Sequence, residues 1–101
     1  MKIFALCCAG LCLAAVSGAH ATDVEAGKLL AHQRCAACHI VAPDGRNEVG
    51  DAPPFVVIGR KFDFNYDSIV LALMGPHRKM NFSLRRSDAE DIAAYIGTLG
   101  R

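Results

Sequence analysis

The feature that most constrains this chain is the five-residue motif Cys35-Ala36-Ala37-Cys38-His39. Two cysteines three positions apart, followed at once by histidine, form the C-x-x-C-H pattern of covalent c-type haem attachment. The physical reason is reach. Two thiols on one turn can meet the two vinyl groups at one edge of a porphyrin, and the next side chain is carried under the ring, where an imidazole can bind iron. We therefore predict one haem c, attached through Cys35 and Cys38, with His39 as an iron ligand.

Three other uses of this cysteine pair fit the residues less well. A disulfide between Cys35 and Cys38 would close a very short loop and would stabilise little in the chain-entropy model. A thioredoxin-like redox pair needs a βαβ context, which a helical chain does not provide. A zinc site could combine both cysteines with His39 and either His32 or His77, but adjacent cysteine and histidine ligands are an unusual spacing for zinc.

The first 21 residues have the pattern of an export signal. Lys2 is followed by an apolar run over residues 3–16, and Ala19 and Ala21 form the A-x-A pattern that signal peptidase reads. The run is short for a membrane span, which needs about 20 apolar residues, and a lipid-attachment site at Cys12 lacks the expected preceding residues. We predict a cleaved signal peptide over residues 1–21 and one domain over residues 22–101.

Cleavage changes the composition of the chain. Removing 21 residues from 101 leaves 80, and Lys2 leaves with them, so 10 basic residues remain against 10 acidic ones. A formally neutral chain does not suggest a nucleic-acid partner. A domain of this size buries a small core and usually needs a disulfide, a metal or a cofactor for stability. Cys35 and Cys38 are the cysteines that remain after cleavage to form a disulfide or to bind a metal or cofactor.

The first predicted helix covers residues 23–34. Thr22 and Glu25 read as a capping box, and apolar or small residues recur on one face at three- and four-residue spacing. Gly27 lies on that face, although glycine lowers helix stability by about 1 kcal/mol relative to alanine. We interpret Gly27 as a point of close approach by another helix.

Two further helices are predicted, and the fold class is all-α. Asn65 can cap a helix over residues 66–74, and Ser87 opens a second capping box with a helix over residues 88–99. The apolar residues 55–58 could begin a helix or form one buried strand, because periodicity cannot decide over so short a run.

A second iron ligand must come from the other face of the ring. Met80 lies in the irregular stretch before the last helix, where loop backbone can aim a thioether at iron, and we predict that it binds. His77 is the alternative, since both ligand pairs occur in haem proteins. Met74 is expected in the core as a gap-filling side chain, and His32 is expected to face solvent. Methionine ligation would raise the reduction potential and close the iron to oxygen or peroxide, which suits electron transfer.

The mature chain resembles the small class I cytochromes c over nearly all of residues 22–101. The matching segments are Asp23-Val24-Glu25-Ala26-Gly27-Lys28, the attachment motif, Ala52-Pro53-Pro54-Phe55, Pro76-His77-Arg78-Lys79-Met80 and Asp91-Ile92-Ala93-Ala94-Tyr95-Ile96. The resemblance implies three main helices around one covalently bound haem, with the first and last crossing closely. It also implies that the Pro53 carbonyl accepts the Nδ1–H of His39 and so sets the orientation of the axial ring.

The resemblance further implies an electron carrier and not an enzyme. Members of the family carry single electrons in the bacterial periplasm or between mitochondrial membranes, and the export signal favours the periplasm. We expect a soluble monomer that does not span a membrane and exchanges electrons with redox proteins such as a dehydrogenase, an oxidase or a reductase. The alternative is a dedicated subunit of a periplasmic dehydrogenase or oxidase complex. An enzyme or gas sensor would require that Met80 does not bind iron.

Two local features bear on the haem environment. Asn81 stands where many family members have proline, so the segment around Met80 is expected to be more mobile and ligand exchange with His77 or Lys79 easier. Arg34, together with Arg78 and Lys79, could form a weakly basic rim that steers an acidic redox partner. Ordinary solvation of these bases, with acids at the helix starts, explains the same charges.

Overall fold

The computed structural model describes residues 10, 21–44, 51–77 and 83–101. This part of the chain forms four α-helices and no strand: α1 (Val24–Arg34), α2 (Phe55–Lys61), α3 (Tyr66–Met74) and α4 (Arg86–Thr98). The all-α prediction is confirmed. The apolar residues 55–58, which could have formed a helix or a strand, begin the short helix α2, which adds to the three predicted helices. Nearly all of the predicted signal peptide, together with residues 78–82, lies outside the described residues. Within them, no helix is long and apolar enough to cross a membrane.

The predicted cap of α1 is wrong by one residue. Asp23, and not Thr22, is the N-cap, and its side chain accepts a hydrogen bond from the N–H of Ala26 at 3.1 Å. The reason is tertiary, because the N–H of Asp23 donates to the Asp91 carboxylate of α4 at 2.9 Å. A carboxylate from another helix therefore helps to set where α1 begins.

The predicted start of α4 is also wrong. The helix begins at Arg86, its N-cap Arg85 makes no side-chain capping bond, and Ser87 lies inside the first turn. Instead, the Arg85 guanidinium donates to the Asp88 carboxylate at 3.2 Å, which places a negative charge near the positive end of the helix dipole. By contrast, α3 has the predicted bounds, and the side chain of Asn65 accepts from the N–H of Ser68 at 2.9 Å.

The helices α1 and α4 cross in close contact. Gly27 is buried, and a β-carbon built on it would collide with the main-chain carbonyl of Asp91. Ala31, one turn later on the same face, is fully buried. The close approach predicted at Gly27 is therefore confirmed, and it depends on the missing side chain.

The core lies where α3 and α4 meet, next to the segment that follows the cysteine motif. Its largest fully buried side chains are Phe55, Ile69, Ile92, Ile96 and Val41. The hydroxyl of Tyr95 donates to the carbonyl of Val41 at 2.7 Å, which ties α4 to the chain just beyond the motif.

Met74 does not lie in the core, contrary to the prediction, because 45% of its surface is exposed. At about 100° per residue, position 74 falls at the edge of the arc whose centre Ile69, Val70 and Leu73 occupy. The first two are buried in the core and Leu73 packs against it. The side chain of Met74 therefore lies at the end of α3, beside the core.

The turn between α2 and α3 is shaped around one aromatic ring. Asp63 and Phe64 have φ values of 53° and 52°, which non-glycine residues adopt uncommonly. The ring of Phe64 lies against Gly59 and Gly100, where a β-carbon would overlap it. The Phe64 ring therefore fills the turn that joins α2 to α3, and both helices contribute residues to the lining of one cavity.

Candidate functional site

The cysteine motif forms one compact turn at the end of α1. Cys35 is the C-cap, and its N–H donates to the carbonyl of Ala31 at 2.9 Å, which also accepts from Ala36 at 3.1 Å. The carbonyl of Cys35 in turn accepts from Cys38 at 3.1 Å and from His39 at 2.9 Å. The two thiols and the imidazole are therefore presented by a single hydrogen-bonded turn, as attachment along one porphyrin edge requires.

Two main-chain hydrogen bonds attach the segment before α2 to this turn. The N–H of Ala52 donates to the carbonyl of Cys38, and the N–H of Phe55 donates to the carbonyl of Ile40, both at 2.9 Å. These bonds lie on either side of Pro53 in sequence. They position its carbonyl against the motif through main-chain contacts alone.

The imidazole of His39 has one nitrogen committed to that carbonyl. Its Nδ1 lies 2.6 Å from the carbonyl oxygen of Pro53, the pair that the resemblance implies. Because a carbonyl can only accept, Nδ1 must carry the hydrogen. In the neutral ring Nε2 then keeps its lone pair, and a bond of this kind raises the basicity of a metal-ligating histidine.

The motif forms one side of a cavity of about 820 Å³, within the range of cofactor sites in proteins. Cys35, Cys38 and His39 line it on that side, and most of the remaining lining is apolar. The larger apolar side chains that line it are Phe55, Val57, Ile58, Phe62, Ile69, Leu73, Leu84 and Ile96. An apolar cavity with two thiols and an imidazole on one side fits a covalently bound haem.

The state of the two thiols bears on the zinc and disulfide alternatives. Both are free and half-buried. Burial raises the pKa of Cys35 from 9.0 to about 11, and the nearby charge of Arg34 opposes the shift only in part. Zinc ligation and disulfide formation both need the thiolate, and burial disfavours the thiolate of Cys35. Among the described residues, no three His, Cys, Asp or Glu side chains are grouped to hold a metal ion.

The residues considered for the second ligand fall in different places. Met80 lies outside the described residues, but His77 and Leu84, on either side of it in sequence, both line the cavity. The ring centroid of His77 lies 5.9 Å from that of His39. His32 is exposed in the last turn of α1 and is not part of the cavity lining.

The cationic lining is only partly the predicted one. Arg34 lines the cavity, whereas Arg78 and Lys79 lie outside the described residues. Lys61, at the end of α2, also lines the cavity, and its Nζ lies 5.6 Å from the centroid of the Phe62 ring. Sequence reasoning missed Lys61 and Phe62, because their position depends on α2 being a helix, which the short apolar run left open.

Comparison with known proteins identifies the family. The chain is 41% identical over 96 residues to cytochrome c-552 of Bradyrhizobium diazoefficiens, with 89% of this chain and 92% of the relative covered. No family model matches the chain, and no solved structure matches it significantly. With this identity over most of both chains, and with Cys35 and Cys38 on the turn that haem c attachment needs, the chain belongs to the small class I monohaem cytochromes c.

Proposed function

We propose that this cytochrome c is a soluble periplasmic carrier of single electrons, with the haem iron held by His39 and Met80. The observation that carries the proposal is the 2.6 Å contact between His39 Nδ1 and the Pro53 carbonyl, which leaves Nε2 free to bind iron. When bound, haem c supplies reversible one-electron exchange at its iron. The roles of the chain are to attach the haem, orient the axial ligand and exclude water.

With haem bound, the lining residues and the hydrogen bond to His39 would act on the reduction potential in opposite directions. The apolar side chains from α2, α3 and α4 would limit the access of water and disfavour the extra positive charge of the ferric state, which would raise the potential. The Pro53 carbonyl accepts the hydrogen bond from Nδ1 of His39, which would make the ring a better donor and favour the ferric state. The thioether of Met80 would stabilise the ferrous state again.

Met80 as the second ligand is supported by the residues on either side of its segment. His77 and Leu84 line the cavity, so residues 78–82 connect two points on its wall. A thioether supplied from this segment would complete six-coordinate iron. Such iron has no open position for a substrate, which is why we propose a carrier and not an enzyme.

Export and association follow from the remaining features. The N-terminal pattern supports removal of residues 1–21 and export to the periplasm, and we propose that the mature chain is a monomer. Redox proteins are the expected partners, and the cations Arg34 and Lys61 at the cavity favour an acidic docking surface on them. Contacts of this kind are small and transient.

The test is expression of the full chain together with haem-attachment machinery in a bacterial host. We expect a red periplasmic protein that begins at Thr22, with one haem per chain in a pyridine haemochrome assay and low-spin spectra in both oxidation states. A colourless product, or haem released by acidified organic solvent, would contradict covalent attachment. A high-spin ferrous form that readily binds carbon monoxide would contradict the carrier role.

A pull-down from the native periplasm and membranes separates the carrier from a dedicated subunit of a larger complex. A free carrier should not co-purify in a fixed ratio with a dehydrogenase or an oxidase. Recovery in a constant stoichiometric complex through washing at high salt would favour the subunit.

A further inference from the structure

We infer that His77 is a second axial donor of this chain, which takes the sixth position of the haem iron when the Met80 sulfur leaves it. The inference rests on the proposed haem site and concerns a residue that the proposed His39–Met80 pair does not use. The exchange breaks one iron–sulfur bond and forms one iron–nitrogen bond with the lone pair of a neutral imidazole, so no electron or proton is consumed.

The first support is the separation of two imidazole rings. The centroids of His39 and His77 are 5.9 Å apart. A metal–imidazole bond is about 2.0–2.1 Å and the ring centroid lies roughly 1 Å beyond the nitrogen, so two trans imidazoles on one metal have centroids about 6 Å apart. The ring planes are inclined by 56°, which is compatible because each bound ring can rotate about its bond to the metal. The separation of the His39 and His77 rings is therefore close to the one that binding of both to a single iron would require.

The second support is the space around His77. Its side chain is exposed and lines the large cavity, and it also lines a neighbouring cavity of about 520 Å³ next to Met74 and Ser83. An imidazole at this position has room on the haem side and room away from it. Its ring can therefore turn toward either cavity, as the proposed exchange requires.

The third support is the anchoring of the chain just before His77. The N–H of Gly75 donates to the carbonyl of Leu71 at 3.1 Å, which closes the end of α3, and Pro76 has a fixed φ. His77 is thus attached to a helix that forms part of the cavity wall. Its position is therefore fixed by α3 from the N-terminal side.

His32 is not positioned to compete with His77 for the iron. Among the described residues, His39 and His77 are the histidines that line the cavity, whereas His32 is exposed on α1. An imidazole favours ferric iron more than a thioether does, so the exchanged state would have a lower reduction potential. The exchange would switch the carrier between a high-potential and a low-potential form.

The test compares ferric holoproteins, in which the haem stays attached through Cys35 and Cys38. Met80→Ala should remain six-coordinate and low-spin by electron paramagnetic resonance and visible spectroscopy, with a lower potential. The double variant Met80→Ala/His77→Ala should become high-spin, whereas the matched control Met80→Ala/His32→Ala should stay low-spin. If His77 fills nine-tenths or more of the sixth sites, added imidazole should bind the His77 double variant about tenfold more tightly than Met80→Ala.

The outcomes separate this inference from the proposed function. A low-spin wild type whose Met80→Ala variant is high-spin would overturn the role of His77 and leave the His39–Met80 carrier standing. A low-spin spectrum that survives removal of both Met80 and His77 would also overturn it. A wild type whose spectrum and potential do not change on Met80→Ala would overturn the proposed ligand pair itself. If the alanine variant loses its helical circular dichroism, Met80→Leu, which keeps most of the side-chain volume, serves for the same comparison.

Discussion

Replacing Gly27 by alanine tests whether the crossing of α1 and α4 is set by the missing side chain. The added β-carbon would fall on the main-chain carbonyl of Asp91. Main chain cannot rotate out of the way as a side chain can, so the two helices must separate. Any separation also strains the hydrogen bond from the Asp23 N–H to the Asp91 carboxylate, now 2.9 Å long.

The expected magnitude follows from two opposing effects. Forcing an extra methyl into a packed contact costs about 1–3 kcal/mol, and the backbone contact at Gly27 places the cost near the upper end. The exchange of glycine for alanine inside a helix returns about 1 kcal/mol. The net loss of unfolding free energy is therefore about 2 kcal/mol. For a domain of this size that corresponds to a fall in Tm of roughly 8–16 °C.

The assay is guanidinium unfolding of the holoprotein followed by far-ultraviolet circular dichroism. Gly97→Ala is the matched control, because Gly97 also lies inside a helix, and a β-carbon built there meets nothing within 4 Å. The control should be stabilised by up to about 1 kcal/mol. If Gly27→Ala were as stable as wild type, or stabilised like the control, the crossing would not depend on the absent side chain.

Replacing Asp23, Tyr95 or Lys61 tests the roles of three individual side chains. Asp23→Ala should lower the unfolding free energy by about 1 kcal/mol through loss of the cap, whereas Thr22→Ala should be nearly neutral. Equal effects of the two variants in denaturant titrations would mean that Thr22 contributes as a cap after all. Tyr95→Phe should cost about 1–2 kcal/mol, since its buried hydroxyl donates a 2.7 Å hydrogen bond; an unchanged unfolding midpoint would refute this. Lys61→Glu should slow electron exchange with an acidic partner and weaken the salt dependence of the exchange rate measured by stopped flow. Lys28→Glu is the control, because Lys28 does not line the cavity. Equal slowing by both variants would show that only the net charge of the protein matters.

The elements that could be predicted closely are those set by neighbouring residues. The helix over residues 66–74 has its predicted bounds, because the Asn65 cap and the stop at Gly75 act within one turn. The predicted starts of α1 and α4 were wrong for different reasons. At α1 the N–H of Asp23 binds Asp91 of another helix, whereas at α4 a local ion pair between Arg85 and Asp88 is found in place of the predicted Ser87 cap.

Other features stayed open or were wrong because a short segment did not fix the type of element or the face of a helix. Four apolar residues at 55–58 are compatible with a helix or a strand, and only packing on α4 decides between them. Met74 seemed a core residue from its apolar neighbours, yet it lies at the edge of the buried arc of α3. Lys61 was missed for the same reason, since its place at the cavity follows from the direction of α2.

What the sequence alone determined is the attachment chemistry, because two thiols and an imidazole within five residues need only a local turn to act together. What only the tertiary structure decided is what surrounds that turn. The Pro53 carbonyl reaches His39 because main-chain hydrogen bonds close a loop between them. The ring of His77 lies 5.9 Å from that of His39 because α3 ends beside the cavity. Contacts between distant residues depend on how the helices pack, and that packing is a property of the whole folded chain.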